Sequence, residues 1–212
     1  MAAGRFITFE GGEGAGKSTQ LARLADALEK AGITVVRTRE PGGSPGAEDI
    51  RDLLVSGDVD RWQPETEMVL HYAARMEHVS TVVRPALAAG KWVVCDRFHD
   101  STLAYQGHGH GLDKQLIGDL HRLLLGGFQP DLTLILDLPV AQGLERTHGR
   151  AGAEDRYERM DREFHERLRQ GFLEIAATEP ERCAVIDATS AEDAVQADVI
   201  ACVRDRLSVD LA

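Results

Sequence analysis

Gly11-Gly12-Glu13-Gly14-Ala15-Gly16-Lys17-Ser18 fits the pattern G-x-x-x-x-G-K-[ST] and follows the apolar run Phe6-Ile7-Thr8-Phe9, which reads as a buried strand. The context is strand, loop, helix. Glycines let successive backbone N–H groups turn inward around an anion, and the helix opening near Gly16 adds the positive end of its dipole. Lys17 is then placed against the β and γ phosphates of a nucleoside triphosphate. The Ser18 hydroxyl is placed on the Mg²⁺ that bridges them.

Outward from the loop, Leu21, Leu24, Ala25 and Leu28 recur at helical spacing up to Ala31-Gly32, and Ile33 to Val36 begins a second strand. Thr38 to Gly43 reads as a loop fixed by Pro41 and two glycines, with Arg39 and Glu40 at a strand's carboxyl end. A short helix carries Arg51, and Pro64 opens a long one running to about Ala89. Lys91 to Cys95 is almost continuously apolar, as a covered parallel strand requires, and it ends in Asp96-Arg97. The His- and Gly-rich stretch 107–111 reads as a loop, Leu132 to Leu136 as a fourth strand and Ala184 to Ile186 as a fifth, with helices through Leu116–Leu124, Ala141–His148, Tyr157–Ala177 and Val195–Val203. The alternation predicts an α/β fold: a five-stranded parallel sheet with helices on both faces, in a single domain over residues 1–212.

The chain has 212 residues, 43% of them hydrophobic, and a formal net charge of -11. Such acidity argues against a nucleic acid polymer as partner but leaves small phosphates, which a few arginines can hold. Cys95, Cys183 and Cys202 are odd in number and widely spaced, so they read as reduced thiols rather than a disulfide frame or zinc site. No apolar run approaches the roughly 20 residues of a membrane span and the start shows no apolar signal region, so the expectation is a cytoplasmic protein without a membrane partner.

A phosphate loop alone serves switches, motors and kinases. The guanine-reading Asn-Lys-x-Asp motif is impossible here, because the chain contains no asparagine. The strand that would end in Asp-Glu in a motor ends in Asp96-Arg97. A kinase for a small phosphate fits better, and a non-catalytic nucleotide-binding module is the alternative from another class. A small phosphate monoester is largely ionised at neutral pH, with a second phosphate pKa near ~6, so no general base is needed. Catalysis reduces to aligning two repelling phosphates and neutralising charge between them. Lys17 serves the donor. Arg39 and Arg97, at strand ends, suit an acceptor phosphate through bidentate geometry.

Phe9-Glu10-Gly11 through Ser18, Thr38 to Gly43, Tyr72-Ala73-Ala74-Arg75, Asp96-Arg97-Phe98 with Ser101, Tyr105-Gln106-Gly107, Pro130-Asp131-Leu132 and Ile186-Asp187-Ala188 occur in the order and spacing of bacterial thymidylate kinases. The chain resembles that family over essentially its whole length. The resemblance implies a P-loop nucleoside monophosphate kinase that moves the γ-phosphoryl group of ATP to dTMP, giving dTDP and ADP for dTTP synthesis; within that class dUMP or dGMP is the alternative acceptor. It implies ATP on residues 11–19 (Gly11, Gly12, Glu13, Gly14, Ala15, Gly16, Lys17, Ser18, Thr19), with Arg146 stacking on adenine. Ser18 and Asp96 would serve Mg²⁺. For dTMP it implies Glu13, Arg39, Arg51, His71, Arg75, Arg97, Ser101, Thr102, Tyr105 and Gln106.

Within that set Glu13 and Tyr105 approach the sugar, the Tyr105 ring blocking a ribose 2′-hydroxyl. His71 departs from the phenylalanine usual at the base-stacking position. Segment 146–157 resembles the mobile lid of these kinases. Since Gly14 and Ala15 supply no arginine within the loop, Arg150 or Arg156 is expected to bring the cation that joins Lys17 and Arg97 at the transferred phosphoryl. Family likeness further implies a homodimer packed through the long helices.

Overall fold

The computed structural model describes residues 4–147 and 156–211. The five strands are β1 (Phe6–Glu10), β2 (Val35–Arg39), β3 (Trp92–Asp96), β4 (Leu132–Asp137) and β5 (Cys183–Asp187). The helices are α1 (Lys17–Lys30), α2 (Pro45–Val55), α3 (Pro64–His78), α4 (Arg84–Ala88), α5 (His99–Thr102), α6 (Lys114–Leu125), α7 (Val140–Thr147), α8 (Arg162–Thr178) and α9 (Glu192–Leu207).

The strands pair in parallel in the order β2-β3-β1-β4-β5. Phe9 lies in register with Asp96 on one side and Leu134 on the other. From β1 the chain runs outward to β2, returns to β3 and then crosses over β1 to β4, so strand order reverses at β1. A crevice opens at the carboxyl ends of strands where order reverses. The phosphate loop follows β1 and Arg97 follows β3, which delivers both to that crevice.

Alternation along the strands feeds two layers. Ile7, Phe9, Trp92, Val94, Leu134 and Leu136 face a core built with α1 and α9. Phe6, Val93 and Cys95 face Tyr72, Val83, Phe98 and Ile117 on the opposite side. Each fully buried large side chain, such as Phe9 or Leu24, stabilises the fold by about 1.5–3 kcal/mol.

Four boundaries differ from the sequence reading. Thr38 and Arg39 belong to β2, because they continue its pairing against Cys95 and Asp96, so the loop is 40–43. The long helix from Pro64 passes through a π-helical turn at Val79–Val83 before α4. Pro85, which has no N–H, thereby falls in the first turn of α4. Leu103–Gly109 is also π-helical rather than loop. The charged helix begins at Arg162 instead of Tyr157, because Asp161 caps it by accepting from the Phe164 N–H at 2.6 Å.

Candidate active site

The phosphate loop is shaped by backbone contacts that exclude side chains. Gly11 (φ +130°) would put a Cβ 2.4 Å from the Leu136 carbonyl, and Gly14 (φ +68°) would put one 2.2 Å from the Gly143 carbonyl. At its end α1 begins with Lys17, buried, whose Nζ donates to the Gly12 carbonyl at 2.7 Å and to that of Gly11 at 3.2 Å. Burial and then Arg97 lower the pKa of its ammonium, although Glu13 and Asp96 oppose them. The Ser18 hydroxyl donates to Asp96 Oδ2 at 2.7 Å. A cleft of about 590 Å³ lies over the loop, bordered also by Thr19, Arg39, Arg146 and Ala188.

Arg97 is held at φ +71°, a left-handed conformation that costs a non-glycine residue about 1–3 kcal/mol and persists only where surroundings over-determine it. Here its N–H donates to the Phe9 carbonyl at 2.9 Å and the next N–H, of Phe98, donates to Glu10 Oε1 at 2.7 Å. The guanidinium is thereby aimed back over the loop. It donates to the Gly11 carbonyl (3.1 Å), Ser101 Oγ (3.2 Å) and Glu13 Oε1 (3.0 Å). The Tyr105 hydroxyl donates to the same Glu13 oxygen at 2.5 Å. Burial would raise the Glu13 carboxyl, but Arg97, Lys17 and Tyr105 together outweigh it and hold it at about 2. Glu13 is therefore an anion of the loop that faces the π-helical segment.

A second cavity of about 130 Å³ adjoins the cleft; Glu13, Glu40, Arg51, Arg97 and Glu158 border both. Arg75 forms its floor, buried at 2% exposure. It donates through Nε to Glu40 Oε2 (2.7 Å), through Nη1 to Thr102 Oγ1 (3.1 Å) and through Nη2 to the Phe98 carbonyl (2.9 Å). Glu40, at the cis Glu40-Pro41 bond, is bonded through its other oxygen to His78 Nδ1 (2.8 Å). Arg51 reaches the Pro41 carbonyl at 2.7 Å. His71 lies one helical turn before Arg75 and is bonded to the Tyr157 hydroxyl at 2.9 Å. Burial drives the His71 pKa down to about 4, so the ring is neutral at physiological pH and presents an uncharged face. Ser101, Thr102, Tyr105 and Gln106 complete the wall.

The structure thus brings together the loop, Arg97, Asp96, Glu13, His71, Arg75, Ser101, Thr102, Tyr105, Gln106, Arg51, Arg39 and Arg146 around two joined cavities. Arg39 sits at the cleft in an exposed pair with Glu48 (3.0 Å). Arg146 Nη1 points to the carbonyls of Gly14 and Ala188 at 3.4 and 3.5 Å. Arg150 lies outside the described residues. Arg156 corrects the expectation: it borders neither cavity, is 1% exposed, and pairs with Glu67 at 2.5 Å. Its charge is spent on a buried carboxylate across 89 residues, a pairing that sequence spacing does not reveal.

Sequence reading missed four contributors. Glu40 was seen at a strand end but not as the buried partner of Arg75. Glu10 anchors Phe98 and Ser101, and only its place just before the loop hinted at a role. Tyr157 and Glu158, read as helix, form a turn lining the smaller cavity.

A phosphate loop at a sheet reversal, an arginine from the neighbouring strand end and a second polar cavity sharing walls with the first are the architecture of a P-loop nucleotide kinase. The family model for thymidylate kinase matches residues 9–199. The chain is 58% identical over 209 residues to the thymidylate kinase of Caulobacter vibrioides, covering 99% of this chain and 100% of that protein. To that of Bradyrhizobium sp. strain ORS 278 it is 54% identical, covering 99% and 93%. The crystal structure of thymidylate kinase from Ehrlichia chaffeensis superposes with a TM-score of 0.76 at 37% identity, covering 95% of this chain and 99% of that one. The chain belongs to the thymidylate kinase family, enzymes that phosphorylate dTMP to dTDP in dTTP synthesis.

Proposed function

We infer that the chain transfers the γ-phosphoryl group of ATP to dTMP, with the donor in the 590 Å³ cleft and the nucleoside of the acceptor in the 130 Å³ cavity. The observation that carries this is the shared wall, where Arg97 borders both cavities and reaches Gly11 and Glu13 of the phosphate loop on one side and Ser101 on the other. Arg97 faces the acceptor phosphate and Lys17 turns from the loop carbonyls to the donor phosphates, so two cations flank the moving group. Arg39 exchanges its exposed partner Glu48, a weak pair, for phosphate. Glu13 and Tyr105 hold the sugar, and the neutral His71 ring stacks on the base above Arg75.

Ser18 and Asp96 fit Mg²⁺. They offer hard oxygens 2.7 Å apart beside the phosphate loop, and Mg²⁺ takes few protein ligands while keeping waters and phosphate oxygens. When bound, the ion neutralises charge on the donor phosphates.

Among the described residues no helix is long and apolar enough to cross a membrane. The free cysteines Cys95, Cys183 and Cys202 support a reducing, cytoplasmic setting. A homodimer through α3 and α6 accounts for the exposed apolar side chains Val69, Met76, Leu116 and Leu123, which recur seven residues apart on each helix. Leu123→Glu should convert a dimer mass to a monomer mass in light scattering at micromolar concentration; a monomeric wild type would remove the dimer.

The test of function is ADP release with ATP, Mg²⁺ and, in turn, dTMP, dUMP and dGMP. Turnover should be highest with dTMP. Folded protein that releases no ADP in response to dTMP would overturn the reading.

A further inference from the structure

We propose that Arg156 is a positioning residue rather than a catalytic cation: paired with Glu67, it fixes the turn that walls the acceptor cavity with Tyr157 and Glu158. The inference rests on the assignment of that cavity to the acceptor nucleoside.

The guanidinium is fully engaged. Nη1 pairs with Glu67 Oε2 at 2.5 Å and donates to the Leu54 carbonyl at 3.2 Å, Nε donates to the Asp58 carbonyl at 3.0 Å, and Nη2 donates to the Val59 carbonyl at 2.9 Å. The Arg156 backbone N–H adds a bond to the Val55 carbonyl at 3.4 Å. These carbonyls are those of the last turn of α2 and the loop beyond it, the orphan acceptors that a helix end must satisfy. A planar fork of five donors suits such a set and a point charge does not. Reaching the phosphates would strip all of them and take from Glu67, 1% exposed, the guanidinium that offsets its buried charge, a strongly unfavourable exchange.

What the anchor positions follows from the next residue. Tyr157 is bonded to His71 at one end of the cavity and meets the Tyr105 ring edge-on, centroids 5.3 Å apart, at the other. Arg156 lies 5.2 Å over the Tyr157 ring. Glu67 extends the network: its Oε1 accepts from Gln106 Nε2 at 2.8 Å and lies 3.5 Å from His110 Nε2. One buried carboxylate on α3 therefore ties together the α2 end, the π-helical segment and the turn 156–160. Burial would raise that carboxyl, but His110, His71 and Arg156 hold it at about 2, so it stays ionised over the working range.

The test is steady-state kinetics and dTMP calorimetry on Arg156→Gln, Glu67→Gln and the double variant. A positioning role predicts that KM and Kd for dTMP rise together by about tenfold or more while kcat at saturating dTMP stays within about threefold and KM for ATP is unchanged. The double variant should lose less than the product of the two single losses, because each single already breaks the Arg156–Glu67 pair. Arg156→Lys should rescue only part of the loss. A fall in kcat of about a hundredfold with dTMP affinity unchanged would make Arg156 catalytic and overturn the proposal, as would independent, multiplying losses in the double variant. If the Arg156 variants do not fold, Tyr157→Ala carries the test, since it removes what the anchor positions; unchanged dTMP affinity there overturns it equally. A wild type inactive on dTMP would instead remove the acceptor assignment, and this inference with it.

Discussion

Lys17, at 7% exposure, rests its ammonium on the carbonyls of Gly11 and Gly12, an arrangement ready to be exchanged for phosphate oxygens. Because its contribution grows as charge develops on the transferred group, Lys17→Ala should keep the fold by circular dichroism and lower turnover by at least about a hundredfold. Activity within tenfold of wild type would remove it from the mechanism. Tyr105 carries a separable role: its ring packs under Arg97 at 4.9 Å and its hydroxyl fixes Glu13. Tyr105→Ala should therefore narrow the kcat/KM ratio of dTMP to its ribonucleotide counterpart, whereas Tyr105→Phe, which keeps the ring, should preserve most of it. An unchanged ratio in the alanine variant would show that the ring is not the gate. At this scale the sequence is legible where a motif fixes spacing, as with the loop that runs into Lys17 and Ser18 at the head of α1. It is opaque where a partner is distant, as with Glu40 for Arg75 and Glu67 for Arg156.

Elements meet at the site through backbone as well as side chains, and the phosphate loop against α7 is the tightest case. A Cβ on Gly14 would lie 2.2 Å from the Gly143 carbonyl, and one on Gly143 would lie 2.3 Å from the Glu13 carbonyl. An arginine cannot replace Gly14 to supply the missing loop cation, since it would have to displace α7. The same contact reverses an ordinary expectation. Glycine to alanine inside a helix normally stabilises by about 1 kcal/mol. Here the added methyl meets backbone, so Gly143→Ala should destabilise by about 1–3 kcal/mol and raise KM for ATP more than KM for dTMP. A higher melting temperature with unchanged kinetics would contradict it. The five parallel strands were legible because covered parallel strands are apolar runs and because the loop motif fixes β1, whereas their order in the sheet and the end of β2, set by pairing with β3, were not. The π-helical segment carrying Tyr105 and Gln106 was not legible either, since glycines at 107, 109 and 111 suggest a loop, whereas Gly109 closes a helix there because Phe164 packs 2.5 Å from where its Cβ would sit.

On the scale of the whole molecule the site is built on buried ionisable groups, so its architecture should appear in the pH dependence of stability. Glu10 is fully buried at the end of β1; burial first and Asp100 next push its carboxyl up to about 8, although Ser101, Arg97 and the Phe98 N–H favour the anion. Unfolded, the same group ionises near 4.5. Between those values the folded chain keeps a proton that the unfolded chain has released, so stability falls as pH rises through that window. Histidines act in the opposite direction. Burial lowers His71 and His121 from 6.5 to about 4, so the unfolded chain takes up protons first and stability falls as pH drops from 6.5 toward 4. The melting temperature should therefore pass through a maximum near neutral pH and decline on both sides. Glu10→Gln retains an acceptor for the Phe98 N–H and a polar group for Ser101, but removes the titration. Its melting curve should lose the decline between pH 6.5 and 8 while keeping the acid limb. Parallel alkaline declines in wild type and variant would show that Glu10 does not hold the proton, and that the segment carrying Arg97 and Ser101 is anchored on an ionised carboxylate instead.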